Sequence, residues 1–232
     1  MRFGLELVPI GIIRSCFDEK FGTPRQPGLA PTAEGRLLLS PPYDRAESLR
    51  GLEAFSHVWL LFGFHANATR DWTPTVRPPR LGGNRRTGVF ATRSPYRPNA
   101  LGLSVVENVA VLDDADGTGL RLRNLDLIDG TPVYDVKPYL PYADAPAHAH
   151  APEVFSVPPA RRRVVFSVEA ERALAGRSRA FRSLLVDTLS LDPRPAYRAG
   201  ESAVEHGVTL AGVNVRWRVV GNVVEVLSMD AV

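Results

Sequence analysis

Prolines and glycines divide the first 140 residues of this chain into short apolar segments. The chain contains 20 prolines and 19 glycines, and several of the segments between them are rich in valine, isoleucine, leucine and aromatic residues, which favour strands. Six strands are predicted, at residues 5–14, 36–39, 57–64, 88–91, 103–112 and 120–127. Residues 45–54 are predicted as a short helix. Because long helical crossovers are missing, the pattern favours a mainly β barrel or sandwich over a doubly wound sheet.

The composition changes near residue 138, where proline, alanine and histidine become frequent. Six prolines between residues 138 and 159 oppose both helix and central strand, which indicates an extended connector. We therefore divide the chain into a β-barrel domain (1–145), a Pro/Ala-rich connector (146–160) and a C-terminal domain (161–232).

Two patterns predict that the C-terminal domain is a small α+β unit. Residues 168–189 carry apolar side chains near the helical period, although Gly176 weakens this helix and could split it. Residues 208–229 alternate in polarity and turn at Gly221-Asn222, as in a β-hairpin.

Length and composition limit the remaining possibilities. A chain of 232 residues can bury about 70% of its unfolded surface without disulfides. Cys16 is the only cysteine and no secretory leader is recognisable, so we expect a reducing cytoplasm. Apolar runs such as residues 58–64 fall far short of the roughly 20 residues that span a bilayer, and no membrane insertion is expected. His148 and His150 lack further ligands at metal-binding spacing, so no metal site is predicted.

Positive charge is concentrated between Trp72 and Val106. This stretch holds six arginines and no carboxylate, whereas the whole chain has a net charge of only +3. The bias of the composition toward arginine explains part of this, because Lys20 and Lys137 are the only lysines. It does not explain the missing acidic residues, so the stretch indicates a polyanionic partner such as nucleic acid.

Residues 124–139 combine Asp126, Asp129 and Asp135 with Lys137 among apolar residues. Asp135 and Lys137 are two apart and would share one face of a strand. The residues alone slightly favour a simpler interpretation, a turn at residues 129–132 followed by a surface ion pair worth less than about 1 kcal/mol.

Familiar nucleotide and hydrolase motifs are missing from the sequence. No G-x-G-x-x-G opens a helix after a strand, and there is no G-x-x-x-x-G-K-[ST] phosphate loop or G-x-S-x-G elbow. The sequence therefore argues against a dinucleotide-binding fold, a P-loop enzyme and a serine hydrolase.

Five segments together resemble the TrmO/TsaA-like family of tRNA methyltransferases. They are Gly22 to Gly28, His57-Val58-Trp59 with Phe64-His65, Gly88 to Ser104, Asp126 to Tyr139, and Asp192 to Tyr197. The match covers nearly the whole chain, and residues 92–104 and 129–139 are its most specific parts.

The resemblance implies a homodimeric methyltransferase that uses S-adenosylmethionine (SAM) and is built on a β-barrel instead of a Rossmann fold. Its implied substrate is N6-threonylcarbamoyladenosine next to the anticodon, in the anticodon stem-loop of certain tRNAs, and its product carries a methyl group on N6. Cofactor contacts are implied for Arg25, Gln26, Pro27, His65, Ala66, Arg93, Leu103, Asp126, Leu127, Ile128 and Asp129. Asp135, Lys137 and Tyr139 are the implied catalytic residues.

The chemistry of methyl transfer to tRNA suggests roles for Asp135, Lys137 and three arginines. N6 must lose its proton for transfer, and we predict Asp135 as the general base, on the hypothesis that Val133 and Val136 desolvate it. Lys137 would bind the threonyl carboxylate of the substrate or orient Asp135. The arginines assigned to tRNA phosphates are Arg85, Arg86 and Arg97. The competing interpretations are a non-catalytic RNA-binding barrel and, less favoured, a hydrolase that clamps a phosphorylated substrate.

Overall fold

The structure is a computed structural model that describes residues 4–67, 72–195, 198, 200 and 202–232. Its strands are β1 (Gly11–Ser15), β2 (Glu34–Leu39), β3 (His57–Gly63), β4 (Thr75–Val76), β5 (Thr87–Gly88), β6 (Leu101–Asp114), β7 (Gly117–Arg123), β8 (Pro132–Pro138), β9 (Arg163–Phe166), β10 (Glu205–Leu210), β11 (Val213–Val220) and β12 (Val223–Ala231). Its α-helices are α1 (Ala46–Leu49), α2 (Pro141–Asp144), α3 (Glu153–Ser156), α4 (Val168–Leu174) and α5 (Arg179–Leu189). Within these described ranges, no helix has the length and apolar character needed to cross a membrane.

Six strands form a closed barrel in the order β1-β2-β7-β6-β3-β8, and each neighbouring pair is antiparallel. In β3, Val58, Leu60 and Phe62 alternate toward the barrel interior and are at most 5% exposed. This period of two is what a strand with one buried face requires. At Gly119 the barrel wall is so tight that a Cβ atom would lie 1.9 Å from the carbonyl oxygen of Leu37. The predicted mainly β barrel is confirmed.

Several predicted element bounds are wrong, for reasons that lie in the backbone. The strand predicted at 5–14 is confined to β1, and Leu5 before it is 83% exposed. The strand predicted at 120–127 ends at Arg123 because Asn124 adopts a positive φ of 64°, which an extended strand cannot contain. The helix predicted at 45–54 is divided into α1 and a 3₁₀ turn (Leu52–Ala54) by Gly51, whose φ is 93°.

The strand predicted at 88–91 is mostly a 3₁₀ turn, Val89–Ala91, which follows the two-residue strand β5. Val89 is buried while Phe90 beside it is 74% exposed. The Pro-rich stretch from residue 138 to 159 contains two single helical turns where no helix was predicted, α2 just before the connector and α3 within it. Proline lies at the first position of α2 and just before α3, positions where its missing N–H costs no helical hydrogen bond.

The C-terminal domain is a four-stranded sheet in the order β10-β11-β12-β9, with α4 and α5 in the connection from β9 to β10. The helix predicted at 168–189 is split near Gly176, and each half starts at a serine cap. Ser167 accepts a hydrogen bond from Ala170 N at 3.0 Å, and Ser178 accepts one from Phe181 N at 3.2 Å. The predicted β11–β12 hairpin and the α+β character are confirmed.

Candidate active site

Four loops meet at one end of the barrel, which we call the barrel mouth. The strand termini that surround it are Ser15, Glu34, Gly63, Leu101, Arg123 and Pro132. The loops are residues 16–33, the turn after β3, the segment before β6, and residues 124–131 between β7 and β8. Antiparallel pairing of β1 with β2, of β2 with β7 and of β3 with β6 and β8 brings these termini to the same end.

Asp126 is a partly buried residue of the barrel mouth. The side chain of Ser104, itself 2% exposed, hydrogen-bonds to it. The Oδ1 atom of Asp126 is buried and has no hydrogen-bond partner among the described residues. Burial raises the pKa of Asp126 to about 6, against the opposing effects of the Ser104 hydrogen bond and the charge of Arg93. A nearby ligand group that carries positive charge or donates a hydrogen bond would satisfy this oxygen.

Arg93 joins Asp126 to the loop between β1 and β2. Its Nη1 donates a hydrogen bond to Oε1 of Gln26, and its charge acts on Asp126. Gln26 in turn donates through Nε2 to the carbonyl oxygen of Arg25. The structure therefore brings together Arg25, Gln26, Arg93 and Asp126, all predicted as cofactor contacts, from three separate segments of the chain.

Leu127, Ile128 and Asp129, which complete the predicted cofactor run from Asp126 to Asp129, hold the loop between β7 and β8 in place. Leu127 is 2% exposed and belongs to the hydrophobic core, and the carbonyl of Ile128 accepts a hydrogen bond from Thr131 Oγ1 at 2.7 Å. The carboxylate of Asp129 accepts from Ser15 N at 2.9 Å and from Arg14 Nη1 at 3.2 Å. Of the four residues in the run, Asp126 alone carries a carboxylate oxygen that is both buried and unpartnered within the described chain.

His65 and Ala66 lie in the 3₁₀ turn His65–Asn67 after β3, beside the loop that contains Gly130. Lys20 fastens this turn to the loop between β1 and β2, because its Nζ donates to the carbonyl of Ala66 and, at 2.6 Å, to Oδ1 of Asn67. Sequence reasoning missed Lys20. Its rarity was an available signal, since it is one of only two lysines in the chain.

Other predicted site residues lie on the outside of the barrel wall. Leu103, Leu61 and Asp135 are cross-strand neighbours on β6, β3 and β8, and they face away from the interior positions of β3. We call this surface the outer face. Leu103 is 53% exposed there, whereas its neighbour Ser104 points inward to Asp126.

Asp135 and Lys137 form the ion pair that their spacing predicts, with 3.1 Å between Oδ2 and Nζ and side chains 44% and 73% exposed. The predicted desolvation of Asp135 by Val133 and Val136 is wrong, and Val136 pairs with Leu60, which faces the barrel interior. A β-bulge leaves Tyr134 out of register, so that Val133 pairs with inward-facing Phe62 while Asp135 pairs with outward-facing Leu61. Two residues that are two apart therefore occupy opposite faces, as bulges permit.

Tyr139 lies near Lys137 but away from the barrel mouth, because Trp59 pairs with Lys137 and also packs against the Tyr139 ring. Its backbone N–H donates to the carbonyl of His57 at 3.0 Å, at the start of β3 and therefore away from the barrel mouth. Its ring packs against Trp59 with centroids 6.1 Å apart and against His57 at 6.3 Å. The structure thus separates Tyr139 from Asp126 by the length of the barrel wall.

The arginines between Trp72 and Val106, where there is no carboxylate, differ in exposure and in the hydrogen bonds that they make within the protein. Arg85 and Arg86 are exposed in the turn between β4 and β5. Arg97, which was assigned to phosphate, is partly buried, and its Nη1 donates to the carbonyls of Thr92 at 2.7 Å and Val89 at 3.3 Å. These bonds give Arg97 a role in holding the loop, and its assignment to a tRNA phosphate stays a prediction. Arg80 similarly donates to the carbonyl of Val157 at 2.7 Å, in the connector.

The last segment of the resemblance, residues 192–197, is only partly described, since Ala196 and Tyr197 lie outside the described residues. Asp192 pairs with Arg194 at 2.7 Å and with Arg162 at 2.9 Å, and the Arg194 side chain is 1% exposed. This buried ion cluster belongs to the C-terminal domain. No group of three or more potential metal ligands occurs in the part of the chain that the structure describes.

Comparison with known proteins agrees with this geometry. The family model of the tRNA-methyltransferase O N-terminal domain matches residues 12–145, and that of the TrmO C-terminal domain matches residues 159–232. A tRNA (adenine(37)-N6)-methyltransferase of Escherichia coli is 49% identical over 225 residues, which is 95% of this chain and 96% of that protein. A putative S-adenosylmethionine-dependent methyltransferase of Pseudomonas aeruginosa is 49% identical over 213 residues, 90% of each chain. The crystal structure of TrmO from Pseudomonas aeruginosa superposes with a TM-score of 0.81 at 40% identity and covers 99% of both chains.

The burial of Asp126 makes a prediction about stability. Since its pKa is raised from 3.8 to about 6 on folding, the folded state holds the proton more tightly than the unfolded state, and this group destabilises the fold increasingly as pH rises from about 4 to 6. The penalty is fully present above that window and vanishes below it. Asp126→Asn should therefore be stabilised relative to the unsubstituted protein at pH 8, on the order of 2 kcal/mol, and the difference should shrink toward pH 4.

Urea unfolding of both proteins between pH 4 and pH 8 measures this difference. Comparing the two proteins cancels the titration of every other group. A difference that stays constant across this range would show that Asp126 titrates alike in the folded and unfolded chains.

Proposed function

The chain belongs to the TrmO family of tRNA methyltransferases, and we propose that its substrate is N6-threonylcarbamoyladenosine beside the anticodon of tRNA. The coarser activity, SAM-dependent methylation of tRNA adenine at N6, follows from family membership and from full-length relatives that carry this activity in their names. The threonylcarbamoyl group is the finer part of the proposal. It is supported by the exposed Lys137, whose ammonium group matches the free carboxylate of such a substrate.

The buried, unpartnered oxygen of Asp126 is the observation that carries the cofactor assignment. SAM, when bound, supplies a methyl group on a positively charged sulfur. An ionised carboxylate in a low-dielectric mouth attracts such a cation strongly, and Arg93 only partly compensates its charge. The residues proposed to hold the cofactor are Arg25, Gln26, Pro27, His65, Ala66, Arg93, Leu103 and the run from Asp126 to Asp129.

Asp135 remains the proposed general base for N6. Its carboxylate is half exposed on the outer face, where an RNA base can reach it, and Lys137 fixes its orientation at 3.1 Å. The proton would pass from N6 to the Asp135 carboxylate as the methyl group is transferred. Tyr139 is better placed to support β3 through its packing on Trp59 than to contact the same substrate atom.

A homodimer accounts for the placement of these residues on two surfaces. Asp126, Arg93 and Gln26 occupy the barrel mouth, whereas Leu103, Asp135 and Lys137 occupy the outer face. We propose that the outer face of one copy covers the mouth of its partner, so that each of two equivalent sites contains residues from both chains, as two-fold symmetry allows. The exposed Leu103 and the neighbouring Leu61 give the outer face an apolar surface suited to such a contact.

Mixing two inactive variants tests the activity and the shared site together. Arg93→Ala should lose cofactor binding, and Asp135→Asn should bind SAM but fail to transfer methyl. If mouth and outer face come from different chains, each mixed dimer contains one intact site, and an equilibrated equimolar mixture should recover about a quarter of wild-type tRNA methylation.

The measurement is transfer of a labelled methyl group to tRNA that carries N6-threonylcarbamoyladenosine, with mass spectrometry of the nucleosides. The control is each variant mixed with itself. Complete inactivity of the mixture would place the whole site within one chain, and full activity of Asp135→Asn alone would remove Asp135 as the base.

Arg85 and Arg86 are the proposed contacts to tRNA phosphates, because both are exposed in a stretch without carboxylates. Log affinity falls linearly with log salt concentration, and removal of one phosphate contact should make this fall less steep by roughly 0.7 to 0.9. We expect Arg85→Ala and Arg86→Ala each to show this change in filter-binding titrations with tRNA. Arg172→Ala, an exposed arginine on α4, is the matched control and should leave the slope unchanged. The assignment is contradicted if all three variants behave alike.

The reducing cytoplasm is the proposed compartment. Cys16 is a free thiol, and burial raises its pKa to about 11. The reactive thiolate form is therefore scarce, which suits a structural residue.

A further inference from the structure

The loop between β1 and β2 carries residues 25–27, and the C-terminal domain anchors it on both sides of that segment. On the N-terminal side, Phe21 stacks on Trp217 with ring centroids 6.2 Å apart. Gly22 adjoins Val208 so closely that a Cβ atom on the glycine would lie 2.6 Å from Cγ2 of the valine. Nearer β1, Ala211 N donates to the carbonyl of Cys16 at 2.9 Å.

On the C-terminal side, two charged residues form one clip. Oδ2 of Asp187 accepts hydrogen bonds from Thr32 N at 3.1 Å and from Thr32 Oγ1 at 2.7 Å. Nη2 of Arg161 donates to the carbonyl of Leu29 at 2.5 Å, and its Nη1 donates to Ser190 Oγ at 2.9 Å. Arg161 and Asp187 are themselves 3.8 Å apart, so each orients the other.

The clip is attached to rigid structure. Asp187 lies on α5, two residues before Leu189, which is completely buried in the core. The Asp187 side chain is only 20% exposed, and charge-assisted hydrogen bonds of this kind are stronger than neutral ones. The loop segment between the two anchors reaches the barrel mouth through Gln26, which accepts from Arg93. The position of residues 25–27 therefore depends on where the C-terminal domain holds the loop.

We propose that Asp187 and Arg161 are positioning residues for methyl transfer, which clip Leu29 and Thr32 so that residues 25–27 are held in the conformation that binds the cofactor. The identity of the cofactor rests on the proposed function, whereas the clip itself does not. The C-terminal domain thereby acts on the reaction through the loop, without contact between Asp187 and the substrate.

Calorimetric titration with SAM tests the clip. Asp187→Ala should raise the Kd for SAM about tenfold, and Thr32→Val should raise it less because the Thr32 N–H still donates to Asp187. The double variant should be no worse than Asp187→Ala alone, since the Thr32 hydroxyl acts through that carboxylate. Thr32→Ser retains the hydroxyl and should restore wild-type affinity. In steady-state assays the KM for SAM should rise while kcat and the KM for tRNA stay unchanged.

Arg182→Ala is the matched control, because Arg182 also lies on α5 but pairs with Glu171 at 2.6 Å on the surface. A rise in Kd as large in Arg182→Ala as in Asp187→Ala, or unchanged SAM affinity in Asp187→Ala, would overturn the proposal. The proposal would also be overturned if kcat fell and the KM for tRNA rose as much as the KM for SAM, because such a result would indicate general damage to the fold.

Hydrogen exchange separates the clip from the proposed function. In the protein without SAM, the amides of Gly28, Leu29, Ala30 and Thr32 should exchange faster in Asp187→Ala than in the unsubstituted protein, and unchanged exchange would contradict the clip. If the unsubstituted protein bound no SAM at all, the proposed function would fail, but the exchange result would still decide whether the clip exists.

Discussion

The rest of this protein is arranged around the carboxylate of Asp126, which must ionise although one of its oxygens is buried. Burial raises the pKa of Asp126 to about 6, and Ser104 and Arg93 oppose that rise only in part. Near neutral pH the group is therefore largely ionised, although one of its oxygens lacks a partner within the described chain. Such an arrangement opposes folding, and a cationic ligand would relieve it. Stability and function thus make opposite demands on the same side chain.

The rest of the fold holds three separate segments of the chain around that carboxylate. Closure of the barrel brings the loop between β7 and β8, which carries Asp126, next to Ser104 on β6. Arg93 reaches the same place from the long excursion between β3 and β6. The loop between β1 and β2 is the third support, and the C-terminal domain holds it at Phe21 and at Thr32. The C-terminal domain is distant in sequence from the barrel mouth, but it contributes to the reaction because it holds this loop.

Local patterns in the sequence were sufficient for the fold class. Proline and glycine spacing located most strands, Gly176 marked the break between two helices, and Gly221-Asn222 marked the C-terminal turn. The errors arose where a single backbone dihedral ended an element that composition would have extended. The positive φ of Asn124 ends β7 at Arg123, one residue after the alternating Leu120 and Leu122.

The site was harder to predict from the sequence, because the burial of a side chain and the face of the sheet on which it lies depend on long-range contacts. The resemblance identified Asp126 and Asp129 together, and only the structure separates a carboxylate that closes a loop from one with an unpartnered oxygen. The period of two placed Asp135 and Lys137 correctly on one face. It failed for Val133, because the bulge at Tyr134 is invisible in a single sequence.

The pH dependence of SAM affinity tests the central claim most directly. If the ionised Asp126 attracts the cationic cofactor, the Kd for SAM should rise as pH falls below about 6, by up to about tenfold per pH unit. Asp126→Asn should bind more weakly at pH 8 and should lack this additional rise. If the two proteins had the same Kd at pH 8 and parallel profiles down to pH 5, Asp126 would not be the group that holds the methyl donor.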